Sequence, residues 1–376
     1  MNKRALYRCL KQRLVTCAGI FIALVASREL KAAGEKALEI VLVEPEAVTP
    51  AAVSQWKKEA FKAVAVVLDE RTGEATYRAI GRNITEAGLD VYCWIEVGRN
   101  PKMASEHPRW MAALGSNEDW QKNFPKFPEP GVGEVAKAFP WVPIGYRETF
   151  DAHLARIEQL LKRAPPGWRG LLLNDLQAGP SSCGCGNLQC RWAIDYFVPS
   201  TATKLDGNAV AARFVSEVRS RGGEKLIIPV WTTECSEVDL PPEKHQGRPG
   251  TGFCGTVGCT MGACPEIFSV QWSALASEHK GPMGLLTVHT ALQRTQTEFG
   301  GGPGWVTNAI GYLDQTVPKK GGKAVPNDRL WVIIDGSQKA PESIARKLAA
   351  NAGVGGVVVA RAKIDQSYQP QMISTK

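Results

Sequence analysis

Eight short apolar runs in this 376-residue chain each end on a polar or charged residue: in order Glu44, Asp69, Glu96, Asp175, Glu234, His289, Asp335 and Arg361. Most of these are carboxylates. Acids gathered around one cleft repel each other and lose solvation, so their pKa values spread apart. One group is then protonated while another is ionised at the same pH, which general acid–base chemistry requires. Two carboxyl groups about 5 to 10 Å apart suit glycoside hydrolysis. Asp175 and Glu234 follow successive runs and are the first choices for such a pair, with Glu96 and Asp335 as orienting or charge-stabilising partners. Asn174 points to the opposite side of its strand from Asp175, so the two cannot share one role. His289 suits a proton shuttle. With Asp69, Glu96 and Asp335 it also makes a ligand set for a metal-dependent hydrolase. A plainer reading stands beside these: strand ends meet water, and acids there pair with Arg71, Arg99 or Arg361.

The aromatic residues extend the ligand reading. The chain has 11 tryptophans. Trp94 and Trp231 lie close to run ends, and Trp110, Trp120, Trp141, Trp192 and Trp305 fall in connecting segments. Such rings stack on a flat ligand or a sugar face, or pin a loop onto the fold. Asp69, Trp94, Trp110, Asn174, Trp231, His289 and Arg361 are therefore the expected ligand contacts.

The elements that must position these residues alternate. The runs 37–43, 63–68, 89–95, 170–173, 226–231, 283–288, 330–334 and 354–360 are nearly continuous in apolar and β-branched residues. That is the pattern of parallel strands buried on both faces. Helical spacing fills the gaps. Thr49-Pro50 is an N-cap followed by a first helical residue, and Phe150, Leu154, Ile157 and Leu161 share one helix face. Further helices are expected near 74–87, 206–221, 265–279, 303–315 and 341–351. The fold class is α/β, a (β/α)₈ TIM barrel, with a doubly wound open sheet as runner-up. No phosphate-binding glycine loop, HExxH or G-x-S-x-G occurs. Residues 98–145, rich in Pro, Gly and Trp and without a clear period, interrupt the rhythm after strand three. They are expected as a structureless, lid-like insertion.

The formal charge of +8 invites a nucleic-acid partner, but its position argues otherwise. Lys3, Arg4, Arg8, Lys11, Arg13, Arg28 and Lys31 stand in the first 33 residues against the single acid Glu29. They flank the apolar run 15–26, and small residues follow it, the layout of a secretory signal peptide. A chain cut after Ala33 carries only +2. The expectation is a signal peptide over 1–33 and a single barrel domain over 34–376, exported to periplasm or extracellular space. No nucleic-acid partner is expected, nor a membrane association after cleavage. Oligomeric state has no signature.

Seven cysteines cluster after strands four and five: Cys183, Cys185, Cys190, Cys235, Cys254, Cys259 and Cys264. In an exported protein they form disulfides that staple long loops, or they hold one tetrahedral zinc. Cys93 lies in an apolar strand and reads as core. No cofactor is required; a structural zinc fits the spacing, and an iron–sulfur cluster is the alternative that export disfavours.

The order Trp94-Ile95-Glu96-Val97-Gly98-Arg99-Asn100-Pro101, then His107-Pro108-Arg109-Trp110, then Gly170 to Asp175, resembles the bacterial glycoside-hydrolase-like barrel proteins. The resemblance covers most of residues 37–362. It implies a TIM barrel that acts on or binds carbohydrate through a carboxylate pair at its mouth. By position, Asp175, Glu234 and Asp335 are also similar to the nucleophile, acid and third acid of α-amylase-type barrels, although the surrounding amylase motifs are missing. From a different class comes a non-catalytic barrel that holds glycan or protein on loops stapled by disulfides or zinc.

Overall fold

A computed structural model describes residues 37–114, 126–176, 205, 209–232, 273–287, 305–311, 313–314, 318, 323–364 and 369–374. The barrel strands are β1 (Leu38–Val43), β2 (Ala63–Val67), β3 (Asp90–Glu96), β6 (Gly170–Asn174), β7 (Leu226–Thr232), β8 (Met283–Leu286), β9 (Leu330–Asp335) and β10 (Gly356–Ala360). Each pairs in parallel with the next, and β10 closes on β1 with Val41 opposite Val359. All eight apolar runs are therefore strands, and the sheet is a closed barrel, so the open-sheet alternative falls away.

Period-two alternation divides the strand residues between two cores. One set forms a single cluster fed by all eight strands, including Ile40, Ala65, Trp94, Leu172, Ile228, Leu286, Ile333 and Val358. In a closed barrel that cluster is the interior. Tyr92 and Trp331 fit there because glycines face them, Gly170 against Tyr92 and Gly356 against Trp331. A Cβ on Gly356 would meet the Trp331 ring at 2.8 Å, and Tyr92 packs edge-on to Trp331 at 5.5 Å between ring centres. The alternate set, with Val41, Val64, Cys93, Ile334 and Val359, is also fully or almost fully buried. It meets the helix layer, and each such side chain contributes about 1.5–3 kcal/mol by leaving water. Cys93 is a free thiol in this outer core, and burial pushes its pKa up.

Except for α3, the helices follow the sequence signals: α1 (Pro50–Lys58), α2 (Glu74–Glu86), α3 (Pro101–Glu106), α4 (Arg147–Leu161), α5 (Val210–Gly222), α6 (Trp305–Gly311) and α7 (Lys339–Asn351). The Thr49 hydroxyl accepts from Ala52 N–H at 3.1 Å, which caps α1 as expected. α4 buries Phe150, Leu154, Ile157 and Leu160.

The interruption at 98–145 is a correction to the expectation of a structureless connection. It holds α3, a 3₁₀ turn at Pro108–Trp110, and strands β4 (Ala113–Leu114) and β5 (Glu134–Phe139). A last strand, β11 (Gln369–Ser374), pairs antiparallel with β5, so the sheet runs β4-β5-β11. The sequence pattern hid it because β4 is only two residues long and β11 comes from the far end of the chain. Lys137 of β5 is fully buried and donates to the carbonyls of Met111 at 2.8 Å and Arg109 at 3.2 Å.

Candidate functional site

Because all eight strands are parallel, their C-terminal ends share one mouth, where this fold places chemistry. On the inward phase, Glu44, Asp69, Glu96, Asn174 and Asp335 continue the alternation of the interior cluster. Two of these acids turn to their own loops, and Glu44 turns to the segment after β10. Glu44 accepts from Lys363 N–H at 3.3 Å. Asp69 accepts from the backbone N–H groups of Arg71 and Thr72 at 3.1 and 3.0 Å, and from Arg71 Nε at 2.6 Å. Asp335 accepts from Ser337 N–H at 2.8 Å and from its hydroxyl at 3.0 Å.

Glu96 is different: both of its carboxylate oxygens are met by side chains. The Trp94 indole N–H donates to Oε1 at 2.7 Å, and Asn174 Nδ2 donates to Oε2 at 2.8 Å. The register explains the second bond, since Glu96 and Asn174 are paired residues on β3 and β6. Trp94 is fully buried and Asn174 nearly so, whereas Glu96 is half-buried. Asn174 Nδ2 also reaches Asp175 Oδ1 at 3.3 Å, so one amide links the two carboxylates.

Asp175 leaves the strand with φ 58°, in the left-handed region that non-glycine residues seldom enter. The turn buries it completely, and its carbonyl accepts from Gly98 N–H at 3.1 Å. Gly98 is required there: a Cβ would stand 2.8 Å from that carbonyl and 3.3 Å from the Trp141 ring.

The carboxyls at the ends of β1 and β2 are pushed in opposite directions. Burial pushes Glu44 above the usual carboxylate range. Burial acts the same way on Asp69, but hydrogen bonds from Arg71 and Thr72 outweigh it and hold that carboxyl low. Glu70 is likewise low, burial being outweighed by its bond to Arg156.

Arg361 goes elsewhere. It stands on the outward phase of β10, donates to Glu59 at 2.7 Å, and meets Glu342 of α7 at 3.4 Å. Its guanidinium lies over the Phe61 ring, 5.3 Å from the centroid. Trp110 does not stand among the strand-end residues; it stacks on His107 at 3.9 Å between ring centres, beside α3. The Trp231 backbone pairs with Leu285 in β7. Glu234, His289 and the seven clustered cysteines lie outside the described residues.

Sequence reasoning missed Arg156. From α4 it pairs with Glu70 and donates to the Glu96 carbonyl at 2.8 Å, which fixes the backbone beneath that acid. Its partners are 60 and 86 residues away, a separation no local pattern reveals. Among the described residues no group of three or more His, Cys, Asp and Glu is placed to hold a metal ion. No described helix is long and apolar enough to cross a membrane.

No family model matches the chain, and no curated protein matches it. Solved structures similar to it include an alpha-amylase from Lactobacillus plantarum, at 13% identity over 86% of this chain and 70% of that one, with a TM-score of 0.40. An HpcH/HpaI aldolase from Desulfitobacterium hafniense is similar at 10% identity over 89% and 90%, TM-score 0.36. A sugar phosphate isomerase/epimerase from Parabacteroides distasonis is similar at 10% over 87% of each chain, TM-score 0.36.

Proposed function

We propose that the barrel mouth binds carbohydrate and hydrolyses a glycosidic bond. The observation that carries this reading is the Trp94–Glu96–Asn174–Asp175 row: a half-buried carboxylate and a buried one, joined by one amide, at the C-terminal edge of a closed parallel barrel. Hydrolysis needs two carboxyl groups with separate tasks, one giving a proton to the leaving oxygen and one attacking or activating water. Asp175 and Glu234 are assigned to that pair, a role in which the turn that buries Asp175 must open toward the mouth when substrate binds. Glu96, held from two sides, fixes the sugar's hydroxyl groups or the developing positive charge. The half-buried Glu44, with its raised pKa, is a reserve proton donor at the same rim.

A second reading has its own observation. Asp175 is fully buried, and Asp69 and Asp335 are satisfied by their own loops, as in a mouth that binds glycan without cleaving it. A glycan-hydrolysis and glycan-binding screen separates the two. Under the first reading, Asp175→Asn and Glu234→Gln each lower turnover by about 10²–10⁴-fold, the range for a lost acid–base group. Binding with no turnover by the wild type supports the second. Neither binding nor turnover across the screen sinks both.

Residues 1–33 are proposed as an export signal, and the clustered cysteines as disulfides or a zinc site. Sequencing the exported chain's N-terminus tests the first. Thiol titration with metal analysis tests the second, and free thiols without metal would refute it.

A further inference from the structure

Away from the strand-end acids, a cavity of about 300 Å³ lies between α3 and α4. His107 and Trp110, the ends of the His107-Pro108-Arg109-Trp110 motif, build one of its walls, with the two rings stacked at 3.9 Å and 19°. The opposite wall is one face of α4, carrying Ala152, Arg156 and Gln159, with Arg163 just beyond the helix. The volume lies at the small end of the range for ligand pockets, the size of a single sugar ring or similar molecule.

The charges lining the cavity do not balance. Glu70 is answered by Arg156, and Glu106 is met by Lys102 at 3.9 Å. Arg163 donates only to the neutral carbonyls of Thr72 at 3.3 Å and Glu70 at 3.5 Å. Among the described residues no carboxylate pairs with it. A guanidinium has more N–H groups than two long bonds use, and its preferred partner is a carboxylate or phosphate met by two of them. Arg156 likewise keeps N–H capacity on its terminal nitrogens after binding Glu70 and the Glu96 carbonyl.

We propose that this cavity binds a small ring-bearing anion of the sugar-acid class. Its carboxylate pairs with Arg163, its ring lies along the Trp110 and His107 wall, and its hydroxyl groups meet Gln159 and Glu106. The site is separate from the barrel mouth and does not depend on hydrolysis there. Arg156 is shared by the two, since the residue that lines the cavity also holds the Glu96 carbonyl.

Calorimetric titration with glucuronate, glucose and acetate tests this. Glucuronate binds more tightly than glucose, which lacks the charge, and than acetate, which lacks the ring. Arg163→Gln and Trp110→Ala each weaken glucuronate by at least about tenfold, while Arg163→Lys, which keeps the charge but not the fork, loses less than Arg163→Gln, and Trp110→Phe retains most of the affinity. Glu96→Gln and Asp335→Asn leave it unchanged, because both carboxylates stand at the mouth. The proposal is overturned if glucose binds as well as glucuronate, if glucuronate does not bind at millimolar concentration, or if the mouth variants abolish binding while Arg163→Gln does not. Trp110→Ala need not fold for the test to decide, because Arg163→Gln alters a half-buried side chain at the helix end.

Discussion

Glu44 and Gly98 show how single residues are constrained at this rim. Burial raises the folded-state pKa of Glu44 above its unfolded value. A raised carboxylate stabilises the fold fully below the unfolded value, near pH 4, and loses that contribution as pH rises through the folded value. Glu44→Gln removes the charge and keeps an oxygen for Lys363 N–H. We expect a higher thermal midpoint than wild type at pH 7 and a difference that closes below about pH 4. A lower midpoint at pH 7 would mean that the charge itself is used. Gly98→Ala is constrained by space, since its Cβ would stand 2.8 Å from the Asp175 carbonyl, and backbone cannot swing aside as a flexible side chain can. We expect a loss of about 1–3 kcal/mol in urea unfolding, with lower occupancy of any ligand that uses the Glu96–Asn174 row.

At the scale of elements, β11 closes the insertion. It pairs with β5 over Gln369–Ser374, and Met372 packs against the cluster of Ala112, Ala136, Ala138 and Trp141. Deleting residues 369–376 leaves β5 an exposed edge and uncovers that cluster. Amide exchange in Glu134–Phe139 should then accelerate by about tenfold or more, as expected when a strand's opening free energy falls, while exchange in β1 and β10 stays as in wild type. Equal acceleration across the barrel would show that β11 supports the whole fold. The α1–β10–α7 seam is a second element-level device. Glu342 has a side chain only 7% exposed and is met by both Arg346 and Arg361. That use accounts for Arg361 better than a place at the mouth does.

For the whole molecule, two buried histidines set how stability responds to acid. His153 is fully buried, with a pKa pushed down to about 3, mainly by burial. His279 is pushed down to about 4, again by burial first, with Arg219 and Arg329 nearby. A depressed pKa gives stability that is complete above the unfolded value of about 6.5 and lost as pH falls through the folded one. Unfolding free energy should therefore decline from about pH 6.5 towards pH 4, by up to about 1.4 kcal/mol per pH unit for each histidine. Asp69 and Glu70, whose pKa values are lowered, add their loss only below about pH 4. Urea titrations at pH 7, 6 and 5 check this. His153→Gln and His279→Gln each flatten the slope, and an unchanged slope would refute the assignment.

The sequence by itself determined the strands, most of the helices and the polar residue that ends each strand. A parallel strand buried on both faces must be apolar along its length, and its first exposed residue must be polar; both marks are local. Period two then settles that Glu96 and Asn174 continue the phase of Trp94 and Leu172. Only the tertiary structure decided what those residues do with one another. Asp69 and Asp335 turn to their own loops, Arg361 is taken by Glu59 and Glu342, and Asn174 joins Glu96 to Asp175 across a strand pair. The same holds for β11, whose partner lies more than two hundred residues away, and for Arg156 beneath Glu96. Alternation along a strand is a local property, whereas the partner of a charge is set by closure of the barrel, which brings together residues whose separation in sequence carries no trace of the contact.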